Sequence, residues 1–403
     1  MISDFEQILS DSCKGMKRSA IRELLKLTAK PEIISYAGGL PSPDSFPVEE
    51  LKKIVAEMME TEAASALQYG STEGDMKLRE ALVKYYNENE NLNITVDNLI
   101  ITTASQQALD LVAKIFINRG DKVIVGLPSY LGGLSAFNAY GAKMTGVSLD
   151  DKGMRADELE KTLAEMKAKG EKPKFIYIIP DFQNPAGITM PLERRKEIID
   201  IAHKYDVLIL EDSPYRELRF EGEPQDMLYK TDGTGHVITL GTFSKIFAPG
   251  FRIGWVIAHP KVVDKIVMAK QGTDLCTPPF TQRIAARYVE SGIMSEKIKD
   301  IIELYREKKD IMLDTLEKEM PEVVKWTVPE GGLFLFITLP DYMDAEALFK
   351  VAIEENVAFV MGTSFYCNGK GRNTMRLNFS YASKENNRIG IERLAKVIKS
   401  QMK

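Results

Sequence analysis

The chain has 403 residues, 44% of them apolar and 28% charged, which excludes wholesale disorder and a fibrous chain and predicts about two to three domains. With 53 basic against 58 acidic residues the net charge is −5, so electrostatics give no reason for nucleic acid or an anionic membrane as partner. No apolar run approaches the roughly 18 residues of a membrane span, and Met1 to Lys17 lacks the apolar stretch of an export signal.

In chain order, the first 45 residues, with Gly38-Gly39-Leu40-Pro41-Ser42-Pro43, fall outside the alternation that follows. They are expected to pack with the C-terminal part. Residues 46–293 alternate short β-branched runs with amphipathic stretches. Leu99 to Thr102, Val123 to Val125, Phe175 to Ile179, Val207 to Leu210, His236 to Leu240 and Gly254 to Ala258 read as strands. Several are apolar throughout, as strands covered on both faces are. Between them lie helical patterns such as Ala108, Leu109, Leu111, Val112, Ile115 and Phe116. This alternation predicts an α/β domain around a mainly parallel sheet.

From about Met294 the pattern changes. Met294, Ile298, Ile301, Tyr305, Met312, Leu316 and Met320 fall on one face of a long helix, and Phe334 to Phe336 and Met375 to Phe379 read as short strands. Residues 294–403 are therefore expected to form a smaller α+β domain. Cys13, Cys276 and Cys367 are odd in number and far apart, as expected of reduced thiols in a cytoplasmic protein. His203, His236 and His259 are scattered, so their spacing predicts no zinc cluster and no metal is expected.

Ligands of open α/β sheets bind at the carboxyl ends of strands, and four segments just after strands carry chemistry. Asn184 sits in a turn closed by Pro185 and Gly187; taken singly, it is what an Asx turn looks like. Glu211 and Asp212 end an apolar strand, where an acid is often solvated or capping a helix. Lys245 is flanked by Thr242 and Ser244, with Arg252 seven residues on. Ser105 and Gln106 lead from a strand into a helix, a plain N-cap or a phosphate cradle.

Together the four segments meet one demand. A lysine amine can hold an aldehyde as a Schiff base, and pyridoxal phosphate is the cofactor that asks for this. Its pyridine nitrogen wants a carboxylate, its phenolic oxygen wants hydrogen-bond donors, and its phosphate wants a helix N-terminus, hydroxyls and an arginine. Asp212, then Asn184 and Tyr215, then Ser105, Thr242, Ser244 and Arg252 supply that inventory.

The chain resembles the fold-type I pyridoxal-phosphate aminotransferases of class I/II over essentially its full length. It is most similar in pattern to the branch with 2-aminoadipate (LysN-like), kynurenine and aromatic aminotransferases. The likeness rests on Ala37-Gly38-Gly39-Leu40-Pro41, Leu67-Gln68-Tyr69, Ser105-Gln106-Gln107, Gln183-Asn184-Pro185-Ala186-Gly187, Asp212-Ser213-Pro214-Tyr215, Thr242-Phe243-Ser244-Lys245 through Arg252, and Met375-Arg376-Leu377. Ala186 and Thr242 stand where Thr and Ser are common. The resemblance implies a large domain with a mainly parallel seven-stranded sheet and a smaller α+β domain.

By the same likeness Lys245 would bear the cofactor and shuttle the proton between Cα and C4′. Asp212 would pair with the pyridinium, Asn184 and Tyr215 would bond the phenolate oxygen, and Tyr130 would stack on the ring. Ser105, Gln106, Thr242, Ser244 and Arg252 would bind the phosphate, joined by Tyr69 from the neighbouring subunit of a homodimer with shared active sites. Arg376 would clamp the substrate α-carboxylate, with Gly39 and Asn184 beside it. Arg22, on a mobile N-terminal helix, would meet the distal carboxylate of acidic substrates. The implied reaction is ping-pong transfer from an L-amino acid (2-aminoadipate, aromatic, branched-chain or glutamate) to a 2-oxo acid, 2-oxoglutarate being the expected acceptor. Lyases and decarboxylases use the same inventory, and some transcription regulators carry this domain as a sensor.

Overall fold

The computed structural model describes residues 5–10, 12–13, 16 and 30–402; Arg22 lies outside the described residues. Across the large sheet the strands run Leu99–Thr102, Gly254–Ile257, Val237–Thr242, Leu208–Asp212, Phe175–Ile178, Lys122–Leu127, Lys143–Asp150 and Gly153–Met154. Neighbours are parallel from Val237–Thr242 through Lys143–Asp150. Gly254–Ile257 is antiparallel to both flanking strands, and Gly153–Met154 to Lys143–Asp150. The seven expected strands are thus extended at one edge by a two-residue eighth.

Strand alternation divides the apolar residues between two cores. Phe175, Tyr177, Leu210 and Leu240 join the core on one face; Ile176, Ile178, Ile209 and Val237 join the other, with Leu159 and Leu163 of the helix Ala156–Ala168 and Ile198 of Leu192–Tyr205. Burial on both faces is why these strands read as unbroken apolar runs. Lys143–Asp150 shows no such run, because near the sheet's edge most of its residues are only half-buried.

The helix Ile293–Glu319 buries Met294, Ile301, Tyr305, Met312 and Leu316 and packs on Lys384–Gln401. Beside them lies an antiparallel sheet in the order Lys325–Trp326, Phe334–Thr338, Thr374–Asn378, Val360–Met361. Ile34–Ser35 pairs parallel with Val357–Ala358. Further on, Asn378 N–H donates to Tyr36 O at 3.0 Å. Buried Lys308 of the long helix donates to Ser42 Oγ at 3.0 Å and Ser380 O at 2.8 Å. These bonds carry Ala37–Leu40 across the C-terminal elements to the mouth of the large sheet. Among the described residues no helix is long and apolar enough to cross a membrane.

Candidate active site

The carboxyl ends of the strands open into a cavity of about 620 Å³. Gly39, Ser105, Gln106, Tyr130, Asn184, Asp212, Tyr215, Thr242, Ser244, Lys245, Arg252 and Arg376 all line it. Tyr69 does not; it is 81% exposed. Residues that the sequence pattern left unremarked complete the wall, among them Leu131 and Ser135.

Adjacent acids at the end of Leu208–Asp212 face opposite ways, as successive strand residues must. Glu211 turns away from the cavity and is consumed by structure: it accepts from Leu228 N–H at 2.9 Å and Thr239 Oγ1 at 2.6 Å. Asp212 turns toward the cavity. Its Oδ2 accepts from Tyr177 Oη at 2.7 Å, whereas Oδ1 is buried with no hydrogen-bond partner. Burial pushes its carboxyl up to about 7, against the Tyr177 hydrogen bond, which lowers it. Tyr177 is a site residue that the sequence pattern missed. The signal lies in register: Tyr177 pairs with Leu210, two residues before Asp212 and on its face.

Lys245 follows the strand Val237–Thr242 and donates from Nζ to Gly39 O at 2.7 Å. Burial first, then the positive charges of Arg376 and Arg252, pull its ammonium down to about 8. Arg376 is 1% exposed on the strand Thr374–Asn378. Its guanidinium carbon lies 4.2 Å from the Phe334 ring centroid and 5.1 Å from that of Phe365, a cation–π setting that holds the planar group in place. Nη1 donates to Asn184 Oδ1 at 2.9 Å and Nη2 to Ala37 O at 2.8 Å. Asn184 Nδ2 then donates to Tyr215 Oη at 3.1 Å. One hydrogen-bonded chain therefore links the N-terminal segment, the guanidinium, the amide and the phenol.

At the far wall the helix Ala104–Phe116 points its N-terminus into the cavity. Gly254 makes this approach possible: a Cβ there would stand 2.7 Å from Ala104 C and Ser105 N, both backbone. Gln106 Nε2 donates to Gly132 O at 3.1 Å. A Cβ on Gly132 would fall 2.5 Å from the Tyr130 ring and 2.6 Å from Gln106 Oε1, so the bare position lets these side chains converge. Thr242 and Ser244 hydroxyls lie 2.9 Å apart. The helix start, the two hydroxyls and the Arg252 guanidinium all face the cavity, the kind of donor set that suits an anion.

The family model for aminotransferase class I and II matches residues 39–394. The chain belongs to the class I and II aminotransferases. This aminotransferase is 48% identical over 400 residues to aromatic-amino-acid aminotransferase 1 of Thermococcus litoralis, covering 99% of this chain and 96% of that protein. The crystal structure of Pyrococcus horikoshii kynurenine aminotransferase, in complex with PMP and with kynurenine and its product, superimposes with a TM-score of 0.97 at 47% identity over all of both chains. That of LysN, the α-aminoadipate aminotransferase of Thermus thermophilus, complexed with N-(5′-phosphopyridoxyl)-L-leucine, gives 0.91 at 38% identity over 98% of each. The aminotransferase has the fold-type I architecture of these neighbours, and its family implies pyridoxal phosphate as cofactor. The residues present fit that group. Asp212 Oδ1 is a buried acceptor without a donor, a state that costs free energy unless a ligand relieves it.

Proposed function

We propose that the aminotransferase takes the amino group of aromatic amino acids or 2-aminoadipate and delivers it to a 2-oxo acid, 2-oxoglutarate above all, in the two half-reactions of a ping-pong cycle. The donor class is supported by the substrates that its relatives are named for. The cofactor arrangement is supported above all by the lone buried oxygen of Asp212 in the same cavity as Lys245.

Pyridoxal phosphate, when bound, supplies an aldehyde carbon that takes the substrate amine and a ring that withdraws the electron pair left at Cα. Asp212 Oδ1 would hold the proton on the ring nitrogen. Lys245 would hold the cofactor through its amine and, once freed by substrate, would take up and return the proton lost from the substrate Cα. An ammonium held at about 8 leaves about a tenth of Lys245 neutral at pH 7, and more as the pH rises. Tyr215 accepts from Asn184 and would offer its own proton to the phenolic oxygen, with Asn184 as a second donor. Tyr130, which lines the cavity with Gly39, would pack against the ring. Ser105, Gln106, Thr242, Ser244 and Arg252 would bind the phosphate.

Arg376 clamps the substrate α-carboxylate. Two of its five N–H groups are engaged by Asn184 and Ala37, which leaves a fork free. Arg376→Lys is expected to raise KM for the amino donor about 100-fold while kcat falls much less, because an ammonium cannot make the paired bonds. Steady-state kinetics with phenylalanine as donor check this.

We also take the enzyme to be a cytoplasmic homodimer. Tyr69 and Leu67, 81% and 67% exposed, would then be covered, with Tyr69 reaching the partner's phosphate. We take residues 46–293 as the large domain and 294–403 as the small one, with the described residues 30–45 packed against the latter. The pairing of Ile34–Ser35 with Val357–Ala358 supports this division.

The test is the near-ultraviolet and visible spectrum of the purified protein with amino acids added one at a time. A visible band that fades with phenylalanine, kynurenine or 2-aminoadipate and returns with 2-oxoglutarate is the expected result. A band that persists through every donor while ammonia, a thiol or carbon dioxide is released would mean a lyase or decarboxylase. No band with added pyridoxal phosphate would overturn the Lys245 assignment.

A further inference from the structure

His203 and His236, far apart in sequence, meet at the amino edge of the large sheet, opposite the cavity. His203 lies in the last turn of the helix Leu192–Tyr205, and His236 directly precedes Val237–Thr242. Their ring centroids are 4.9 Å apart. Asp232, which ends the short helix Leu228–Asp232, completes the group. Its Oδ1 is 2.5 Å from His203 Nε2. Thr234 Oγ1 lies 2.6 Å from that oxygen, 2.8 Å from His236 Nδ1 and 3.1 Å from His203 Nε2. The two nitrogens and the carboxylate oxygen all fall within 4.8 Å of one another.

The outer atoms of the same groups are already committed, and this turns the inner ones toward a common point. Asp232 Oδ2 accepts from the N–H groups of Thr234, Gly235 and His236 at 3.2, 2.8 and 2.8 Å. His236 Nε2 lies 3.2 Å from Asp206 Oδ1; donation there leaves the Nδ1 lone pair facing inward. A carboxylate on the outer nitrogen is the arrangement that orients metal-ligating histidines and raises their basicity. Of the neighbouring lysines, Lys172 pairs with the other oxygen of the same Asp206 at 2.6 Å and Lys174 with Asp121 at 3.2 Å. The imidazoles are 31% and 26% exposed, so a hydrated ion can reach them.

From these groups we infer a site for a divalent transition-metal ion of the zinc class, held by His203 Nε2, Asp232 Oδ1 and His236 Nδ1, with the Thr234 hydroxyl or a water as fourth ligand. Two imidazoles and one carboxylate suit zinc, cobalt or nickel better than magnesium or calcium. Ligands at about 2.0–2.1 Å from a tetrahedral ion stand about 3.3 Å apart. The closest pairs must therefore open by less than about 1 Å and the widest close by up to about 1.5 Å, which rotations of the partly exposed rings and a surface threonine provide. The ion would clasp the end of one helix to the loop feeding a central strand. Lying at the sheet edge away from Lys245 and Asp212, it is a structural clasp and takes no part in amino transfer.

Titration calorimetry of the chelator-treated, dialysed holoenzyme with zinc chloride tests this. The expected result is saturable one-to-one binding, a rise in melting temperature and an unchanged transamination rate. Cobalt(II) should give the intense visible d–d absorption of tetrahedral coordination. His236→Ala should abolish that absorption. Asp206→Asn, a same-size change at an exposed position, should weaken zinc binding about tenfold or more. Absence of saturable heat in the unaltered protein overturns the site. So does zinc affinity that is the same in both variants, or a cobalt spectrum of octahedral type.

Discussion

Lys245→Ala is expected to lower transamination by about 10⁴-fold or more, since a positioned general base alone contributes up to about that factor and the anchoring amine is lost with it. Among the residues lining the cavity there is no second lysine to take over the proton. A small exogenous amine such as methylamine should restore part of the rate, with a pH dependence that follows the added amine. Rescue would separate a proton carrier from a side chain that merely fills space. The ligand-free variant should also respond differently to pH. Burial holds the folded-state ammonium at about 8, against 10.5 for the free side chain. The unfolded chain therefore binds the proton more readily, and stability is lost as pH falls from 10.5 through 8. Alanine removes that slope. Melting curves at pH 8 and pH 10 check it: the gap in favour of the variant should be wider at pH 8.

The large sheet was legible because its strands are buried on both faces, so composition alone marks Leu99–Thr102 or Phe175–Ile178. Lys143–Asp150 was not, because a strand near the sheet's edge needs no apolar run. At the site, Lys245, Asp212 and Asn184 each sit at or just beyond the end of an apolar strand, and their convergence follows once parallel order is assumed. What pattern could not give is which groups touch. That Tyr177 bonds Asp212 depends on register between two strands. That Asn184 bridges Arg376 and Tyr215 depends on one contact across 192 residues of chain and another across 31. The histidines make the same point. Spacing predicted no metal ligands, yet the fold brings His203, Asp232 and His236 within 4.8 Å, because two helix ends and a loop meet at one edge of the sheet.

Asp212→Asn is expected to cut turnover about 10³-fold, the cost of removing one preorganised electrostatic partner, and at the same time to make the ligand-free protein more resistant to heat above pH 7. The two effects have one cause. Asp212 is buried, Tyr177 satisfies Oδ2, and Oδ1 has no partner. Burial therefore holds the carboxyl at about 7, against 3.8 for the free side chain. Between those values the folded chain keeps a proton that the unfolded chain releases, so stability falls as pH rises from 3.8 through 7 and stays low above. Asparagine has the same size, can still accept from Tyr177 and carries no charge. It should add on the order of 4 kcal/mol at pH 8 and little below pH 4. Bound cofactor should reverse the order, since a ring N–H facing a carboxylate makes a charge-assisted bond and one facing an amide does not. Melting curves of both proteins at pH 8, with and without pyridoxal phosphate, check this. If the asparagine variant is no more stable than its parent without cofactor, the strand end does not hold an unrelieved carboxylate. If it is, the residue on which turnover depends is also one that the bare fold tolerates at a loss, and cofactor binding recovers that loss.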